Sequence, residues 1–250
     1  MRMTPYGVLL LLGVGGATGC LAEPIVPDKG KPTYECHRAG EMVIDGRLDE
    51  EAWRLAEDAG PFVYPWPQQT GPRVLTKGFL LWDDRFLYVG YRCEDSDITA
   101  EYTERDDPTY RDDCVEVFIA PQPDKSRMYY GFELNCRGVL FDYFYAFPDC
   151  LLRNWDAAGV RLSASLRGTL NRSDDQDDGW SLEIAIPLKN FKGLTGTDRP
   201  SPGDVWRINM NRWDGTGTKR ALSQWTASGL EAPHPHRPEG FGALKFVDEE

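Results

Sequence analysis

Hydrophobic and polar residues alternate with a period of two along most of this chain. That spacing sends successive side chains to opposite faces of an extended strand. Segments of this kind occupy residues 79–82, 86–93, 115–120, 129–136, 139–145, 160–166, 180–186, 206–213 and 241–247. Asp83, Asp84 and Arg85 separate the first two and read as a hairpin turn. One stretch departs from the pattern. Asp49 suits the cap of a helical turn or two reaching Glu57, with Leu48, Ala52, Leu55 and Ala56 on one face. The 18 prolines and 25 glycines are spread throughout, as expected where many short strands are joined by turns. About ten strands and one short N-terminal helix predict an all-β fold, a two-sheet antiparallel β-sandwich. No helix–strand alternation points to a doubly wound sheet.

Sorting the strands by parity exposes a second pattern. Val115, Val117 and Ile119 share one face and Glu116 takes the other. Tyr130, Phe132, Leu134 and Cys136 lie opposite Glu133 and Asn135. Leu182, Ile184 and Ile186 lie opposite Glu183, and Ile208 and Met210 lie opposite Arg207, Asn209, Asn211 and Trp213. If these strands share a sheet, its outer face carries Glu116, Glu133, Asn135, Glu183, Asn209 and Asn211. Asparagine is disfavoured in strands, so its recurrence at three such positions asks for a reason. Carboxylates and amides each pair with two hydroxyl groups at once, which suits a sugar. Sugar rings also stack on aromatic faces. Tyr110, in the loop before the Glu116 strand, stands at the edge of this face, and Trp66, Trp155, Trp213 and Trp225 are further candidates.

The beginning of the chain reads as an address. Arg2, the apolar run 8–14 and the small residues 15–19 form a signal-peptide pattern over residues 1–22, too short to span a bilayer. Ala17-Thr18-Gly19-Cys20 resembles a lipoprotein signal in which Cys20 is lipidated; ordinary cleavage after Ala22 is the alternative. Residues 23–32, rich in proline and charge, read as a linker, and the globular domain follows from residue 33. The expected location is therefore secreted or cell-envelope, with no transmembrane segment and with a lipid anchor if Cys20 is modified. Export places Cys36, Cys93, Cys114, Cys136 and Cys150 where disulfides are permitted, although spacing alone does not pair them. No C-x-x-C pair suggests zinc.

Charge narrows the partners. The net charge of −12 opposes nucleic acid, which needs a basic footprint. Among several acidic clusters, Asp113 is the best placed for a structural calcium, because it ends a loop beside a strand. No cofactor is otherwise required. With three histidines and no G-x-S-x-G elbow, nucleophilic catalysis has little to work with. A glycoside hydrolase would use Glu116 and Glu133, which need to stand about 5 to 9 Å apart.

Four segments carry a family resemblance. Residues 43–53 (VIDGRLDEEAW), 81–89 (LWDDRFLYV), 112–119 (DDCVEVFI) and 241–244 (FGAL) resemble, in order, the characteristic segments of carbohydrate-binding module family 9. The resemblance spans residues 33–247 and implies a DOMON-like, jelly-roll-like β-sandwich. It implies non-catalytic binding of plant or microbial polysaccharide fragments or their chain ends between two aromatic rings, with structural calcium in some members. Tyr110 matches one aromatic platform, Glu116 a sugar-contacting acid and Asn211 a polar ligand contact. The second platform falls near His234-Pro235-His236, where histidine is the only aromatic. DOMON-like relatives also include haem-binding electron-transfer domains, which need axial ligands such as methionine with histidine or lysine; Met210 faces the core by parity.

Overall fold

The computed structural model describes residues 30–122, 127–146 and 150–248. The export segment 1–22, Cys20 and linker residues 23–29 lie outside them. The strands are β1 (Thr33–Arg38), β2 (Thr76–Trp82), β3 (Phe86–Cys93), β4 (Cys114–Ala120), β5 (Met128–Asn135), β6 (Leu140–Ala146), β7 (Cys150–Leu152), β8 (Arg161–Arg167), β9 (Gly179–Pro187), β10 (Val205–Asp214), β11 (Ala221–Gln224) and β12 (Gly242–Phe246). The fold is all-β, as the alternation predicts.

The strand arrangement differs from two separate antiparallel sheets. One mixed sheet runs β7-β6-β5-β4-β10-β12-β1-β2-β3-β9-β8, with β11 added beside β10. β1 joins its two halves. Thr33 to Cys36 pair in parallel with β12, and His37 and Arg38 pair in parallel with β2. The Tyr34 hydroxyl fixes this crossing, accepting from the Leu80 N–H at 2.9 Å and donating to the Glu57 carbonyl at 2.7 Å. The expected N-terminal helix is a single 3-10 turn, Glu51–Arg54, and Asp49 does not cap it. One α-helical turn occurs instead at Lys192–Thr195. No helix among the described residues is long and apolar enough to cross a membrane.

The sheet closes on one core. Val115, Val117 and Ile119 of β4, Phe132 and Leu134 of β5, and Ile208 and Met210 of β10 pack with Val89 of β3 and with Leu182, Ile184 and Ile186 of β9. All are fully buried, and each such side chain contributes about 1.5–3 kcal/mol of transfer free energy. Cys36, Cys93, Cys114 and Cys136 are buried free thiols, and Cys150 is an exposed one. The first four pack as small hydrophobes.

Glu183 corrects the idea of a single polar face. Its strand β9 lies in the half with β3 and β8, apart from β4, β5 and β10. One carboxylate oxygen accepts from the Asp45 and Gly46 N–H groups at 3.0 and 2.8 Å. The other accepts from the Leu48 N–H and the Trp53 indole at 3.1 and 2.7 Å. Glu183 thus anchors the segment 45–53 to the sheet. We expect Glu183→Gln to place an amide N–H against these donors and to destabilise the domain by about 1–3 kcal/mol in urea unfolding. Ligand affinity should be unchanged; an unchanged unfolding midpoint would contradict the anchoring role.

Candidate functional site

Register partners define one rung of side chains across five strands. Gln224 of β11, Asn211 of β10, Glu116 of β4, Glu133 of β5 and Phe141 of β6 stand in consecutive register. By parity all five point away from the main core. Glu116, Glu133 and Phe141 line a cleft of about 230 Å³, together with Tyr110, Tyr143, Leu151, Arg153, Trp213 and His234-Pro235-His236. Tyr110, Glu116, Glu133 and Trp213, all singled out from sequence, therefore meet in one place.

The cleft is built from aromatic rings. Tyr110 sits in the 3-10 turn Thr109–Arg111 and packs on Phe141, centroids 6.2 Å apart. The Arg220 guanidinium fixes this turn by donating to the Tyr110 and Asp112 carbonyls, and it lies over the Trp213 ring at 4.6 Å. His236 stacks on Phe118 at 5.0 Å, and its Nδ1 is 2.6 Å from the Tyr129 hydroxyl. Burial, with His234 adding to it, pushes the His236 pKa down to about 3, so its ring is neutral. Histidine thus occupies the place where a second aromatic platform is expected. Gly131 permits the close packing under Tyr143: a Cβ there would lie 2.2 Å from the Tyr143 ring.

Two carboxyl groups stand side by side in this apolar setting. Glu116 is 1% exposed and Glu133 2%, although both line the cleft. The Trp213 indole donates to Oε1 of Glu116 at 3.0 Å, and the Tyr143 hydroxyl donates to Oε1 of Glu133 at 2.8 Å. The Oε2 atoms of both residues have no partner. Burial, and then the charge of Glu133, holds the Glu116 carboxyl well above the usual range. Burial pushes Glu133 up to about 7, with the Tyr143 hydrogen bond and Arg153 acting the other way. At neutral pH such a pair holds a proton between its members.

The asparagines divide. Asn211 stays in the rung beside Glu116: its Oδ1 accepts from Gln224 at 3.0 Å and from Asn209 at 3.3 Å, and its Nδ2 is unpartnered. None of Asn135, Asn209 and Asn211 is among the cleft-lining residues. Asn135 holds the turn at β5, donating to the Tyr102 carbonyl and Asp112 and accepting from the Arg137 and Val139 N–H groups. Asn209 ties β10 to Thr226. Their recurrence in strands thus has a structural reason. Of the tryptophans, Trp66 and Trp225 are buried and donate to the Leu230 and Ala59 carbonyls, and Trp155 packs on Tyr130; Trp213 alone of the four lines the cleft. Parity missed Phe141 and Tyr143, although Phe141, Tyr143 and Tyr145 alternate on one face of β6. Arg153 carried no signal in the sequence.

Asp113 lies elsewhere, in a buried cluster with Asp95 and Asp214. Its Oδ1 accepts from the Gly215 N–H, and its Oδ2 accepts from the Thr99 N–H and hydroxyl. Fully buried Arg212 donates to Asp95 at 2.8 Å and also to Asp214. A guanidinium thus sits among these carboxylates, and three protein donors already engage Asp113, so Arg212 supplies positive charge where a calcium ion would.

These features define the class: an all-β ligand-binding module with a ring-walled cleft over buried polar side chains. The family follows from the sequence match. The chain fits the model described as carbohydrate-binding family 9 over residues 79–246, and it belongs to that family. A crystal structure of a proposed carbohydrate-binding protein from Bacteroides uniformis ATCC 8492 superposes with a TM-score of 0.70 at 21% identity, covering 86% of this chain and 98% of that one. A family 9 module from Caldicellulosiruptor kristjanssonii in complex with cellotriose gives 0.62 at 18% identity, covering 88% and 95%. The same module in complex with glucose gives 0.62, covering 88% and 97%. Endo-1,4-beta-xylanase A of Thermoanaerobacterium saccharolyticum is 24% identical over 188 residues, 74% of this chain but only 14% of that enzyme.

The carboxyl pKa values set a pH dependence. Burial raises Glu116 and Glu133, and it raises Asp113 to about 7 and Asp142 to about 6. Unfolded carboxylates titrate near about 4, so the folded state binds more protons between about pH 4 and 7. This contribution is fully present below about pH 4 and is lost as pH rises through about 7, with a slope of up to about 1.4 kcal/mol per pH unit per proton. Urea unfolding should therefore give a lower midpoint at about pH 8 than at about pH 5, and Glu133→Gln should shrink the difference. A midpoint that rises over this interval would contradict the assignment.

Proposed function

We propose that this protein binds carbohydrate outside the cytoplasm without transforming it, and that the Tyr110–Glu116–Glu133 cleft is the binding site. The carrying observation is the pair of unpartnered, buried carboxyl oxygens on the floor of a cleft walled by rings. Sugar hydroxyls supply the missing donors, and the ring faces take the C–H surface of a pyranose. Family membership and the sugar-bound family 9 structures support the ligand class. Plant or microbial polysaccharide fragments, or their chain ends, are the proposed ligands. Tyr110 stacks on the ring and Glu116 and Glu133 accept hydroxyl protons, while Asn211, expected from sequence to touch the ligand, lies fully buried behind Glu116.

The Glu116–Glu133 register also bears on hydrolysis. The two carboxyl groups project side by side from neighbouring strands, on the same wall. A glycosidase holds its acid and its nucleophile or base on either side of the scissile bond. We therefore favour a hydrogen-bonding floor over a catalytic pair. The export pattern at residues 1–22 supports an extracytoplasmic setting, with lipidation at Cys20 as the anchoring route.

Isothermal calorimetry against glucose and cello-oligosaccharides tests the site. Losing a hydrogen bond to a charged group costs about 1.5–3 kcal/mol, so Glu116→Ala should weaken affinity roughly ten- to a hundredfold. Tyr110→Ala should also weaken it, while Tyr110→Trp should retain it. Equal affinity in Glu116→Ala and wild type would refute the site, and release of reducing sugar by the wild type would refute the non-catalytic reading. For the Asp113 cluster, we expect chelation with EDTA to leave the melting temperature unchanged, because Arg212 supplies the positive charge. A melting temperature that falls with EDTA and recovers with calcium would overturn that expectation.

A further inference from the structure

The charge around the cleft narrows the ligand beyond a neutral sugar. Glu116 and Glu133 stand in direct register, fully buried, and each is hydrogen-bonded through Oε1 to a neutral donor only. Among the described residues no cation hydrogen-bonds to either carboxyl group. Arg220 directs its donors to the Gly215, Tyr110 and Asp112 carbonyls. Arg153 lies over the Phe141 ring at 5.4 Å and is exposed at the mouth. Arg212 is held by Asp95 and Asp214. His236 is neutral, and His234, beside it, is also pushed down by burial. The floor of the cleft therefore carries two acids with no cation hydrogen-bonded to them, Arg220 and Arg153 acting on them only through space.

A hydroxyl group brings one donor and no charge to such a floor. An ammonium group brings three donors and a full positive charge in one compact group. Buried carboxylates side by side call for such compensation, because no cation is hydrogen-bonded to either. We propose that the preferred ligand is a sugar bearing a protonated amine, a 2-amino-2-deoxyhexose or an oligosaccharide ending in one, with its ammonium between Oε2 of Glu116 and Oε2 of Glu133. The Tyr110 and His236 walls then take the pyranose faces. This inference rests on the reading of the cleft as a sugar site.

The ammonium competes with the proton that the pair otherwise holds. Other titratable or charged groups near the pair are Tyr143, Tyr129, Cys114, Arg220, Arg153, His234 and His236. Burial raises the tyrosine and cysteine groups and lowers the histidines, away from the two glutamates, whose carboxyl groups it raises. Binding of an amino sugar should therefore release a proton, and binding of a neutral sugar should not.

Calorimetry of the whole protein with D-glucosamine, glucose and N-acetylglucosamine, in buffers of different ionisation enthalpy, reads both effects. At about pH 7 glucosamine should bind at least about tenfold tighter than glucose, the difference between a charged and a neutral hydrogen bond. Its affinity should rise between about pH 5 and pH 7, with release of about one proton, as expected when ligand and proton share a site. N-acetylglucosamine, which has no charge, should show no proton release. Glu133→Gln, close in shape and checked for folding by circular dichroism, should weaken glucosamine binding by more than glucose binding, so that the preference and the proton release are both lost. If glucose binds as tightly as glucosamine, with no proton released by either, the amine inference is wrong and the sugar site stands. If none of the three sugars, nor any cello-oligosaccharide, binds, both readings fall.

Discussion

Two carboxyl groups buried side by side at the floor of a cleft are the constraint from which the rest of the cleft follows. Glu116 and Glu133 are brought together by strand register alone, because β4 and β5 pair directly and the two residues are Cα partners. Neither is exposed enough to be solvated. Each keeps one oxygen satisfied by a neutral aromatic donor and leaves one open. A buried carboxylate in that state is costly unless a proton, a cation or a set of donors completes it. In the free protein the demand shows as carboxyl pKa values raised by burial. A ligand meets it with hydroxyl or ammonium donors, and so the same feature that burdens the empty site gives it affinity.

The surrounding structure serves to hold that arrangement. Gly131 leaves room for the Tyr143 ring to lie against the sheet and reach Glu133. Arg220 fixes the Tyr110 turn through two backbone carbonyls. His236, kept neutral by burial, stacks among Phe118, Tyr129 and Tyr145 instead of adding a charge. Elsewhere the protein handles buried acids differently. Glu183 is saturated by three backbone N–H groups and an indole, and the Asp95–Asp113–Asp214 cluster encloses a guanidinium. Against these carboxylates, the open oxygens of Glu116 and Glu133 differ in belonging to residues that line a cleft.

Much of this was legible in the sequence because strand parity is a local rule. The alternation around Glu116, Glu133 and Asn211 assigned these residues to one face, and the register then aligned all three in one rung. Parity does not say which sheet half a strand joins, so Glu183 fell on the wrong half. Nor does it tell a side chain open to ligand from one serving the backbone, which is why Asn135 and Asn209 looked like ligand contacts. Strand β1 escaped notice because its residues, TYECHR, mix polar and apolar positions, and only its partners β12 and β2 impose the extended form. Phe141 and Tyr143 were visible as alternating aromatics on β6. Arg153 reaches the cleft only through tertiary packing and left no local trace.

The central claim is that sugar sits over the Glu116–Glu133 pair, against Tyr110 and Trp213. The Trp213 indole N–H is its most direct reporter, because it donates to Glu116 at the floor of the cleft. Nuclear magnetic resonance of this indole proton during titration with glucose or an amino sugar tests the claim in one experiment. The account predicts a saturable shift of the Trp213 resonance, together with Tyr110 and His236, while the Trp53 indole bound to Glu183 stays still. A sugar that binds without moving Trp213, or that moves Trp53 instead, would contradict it.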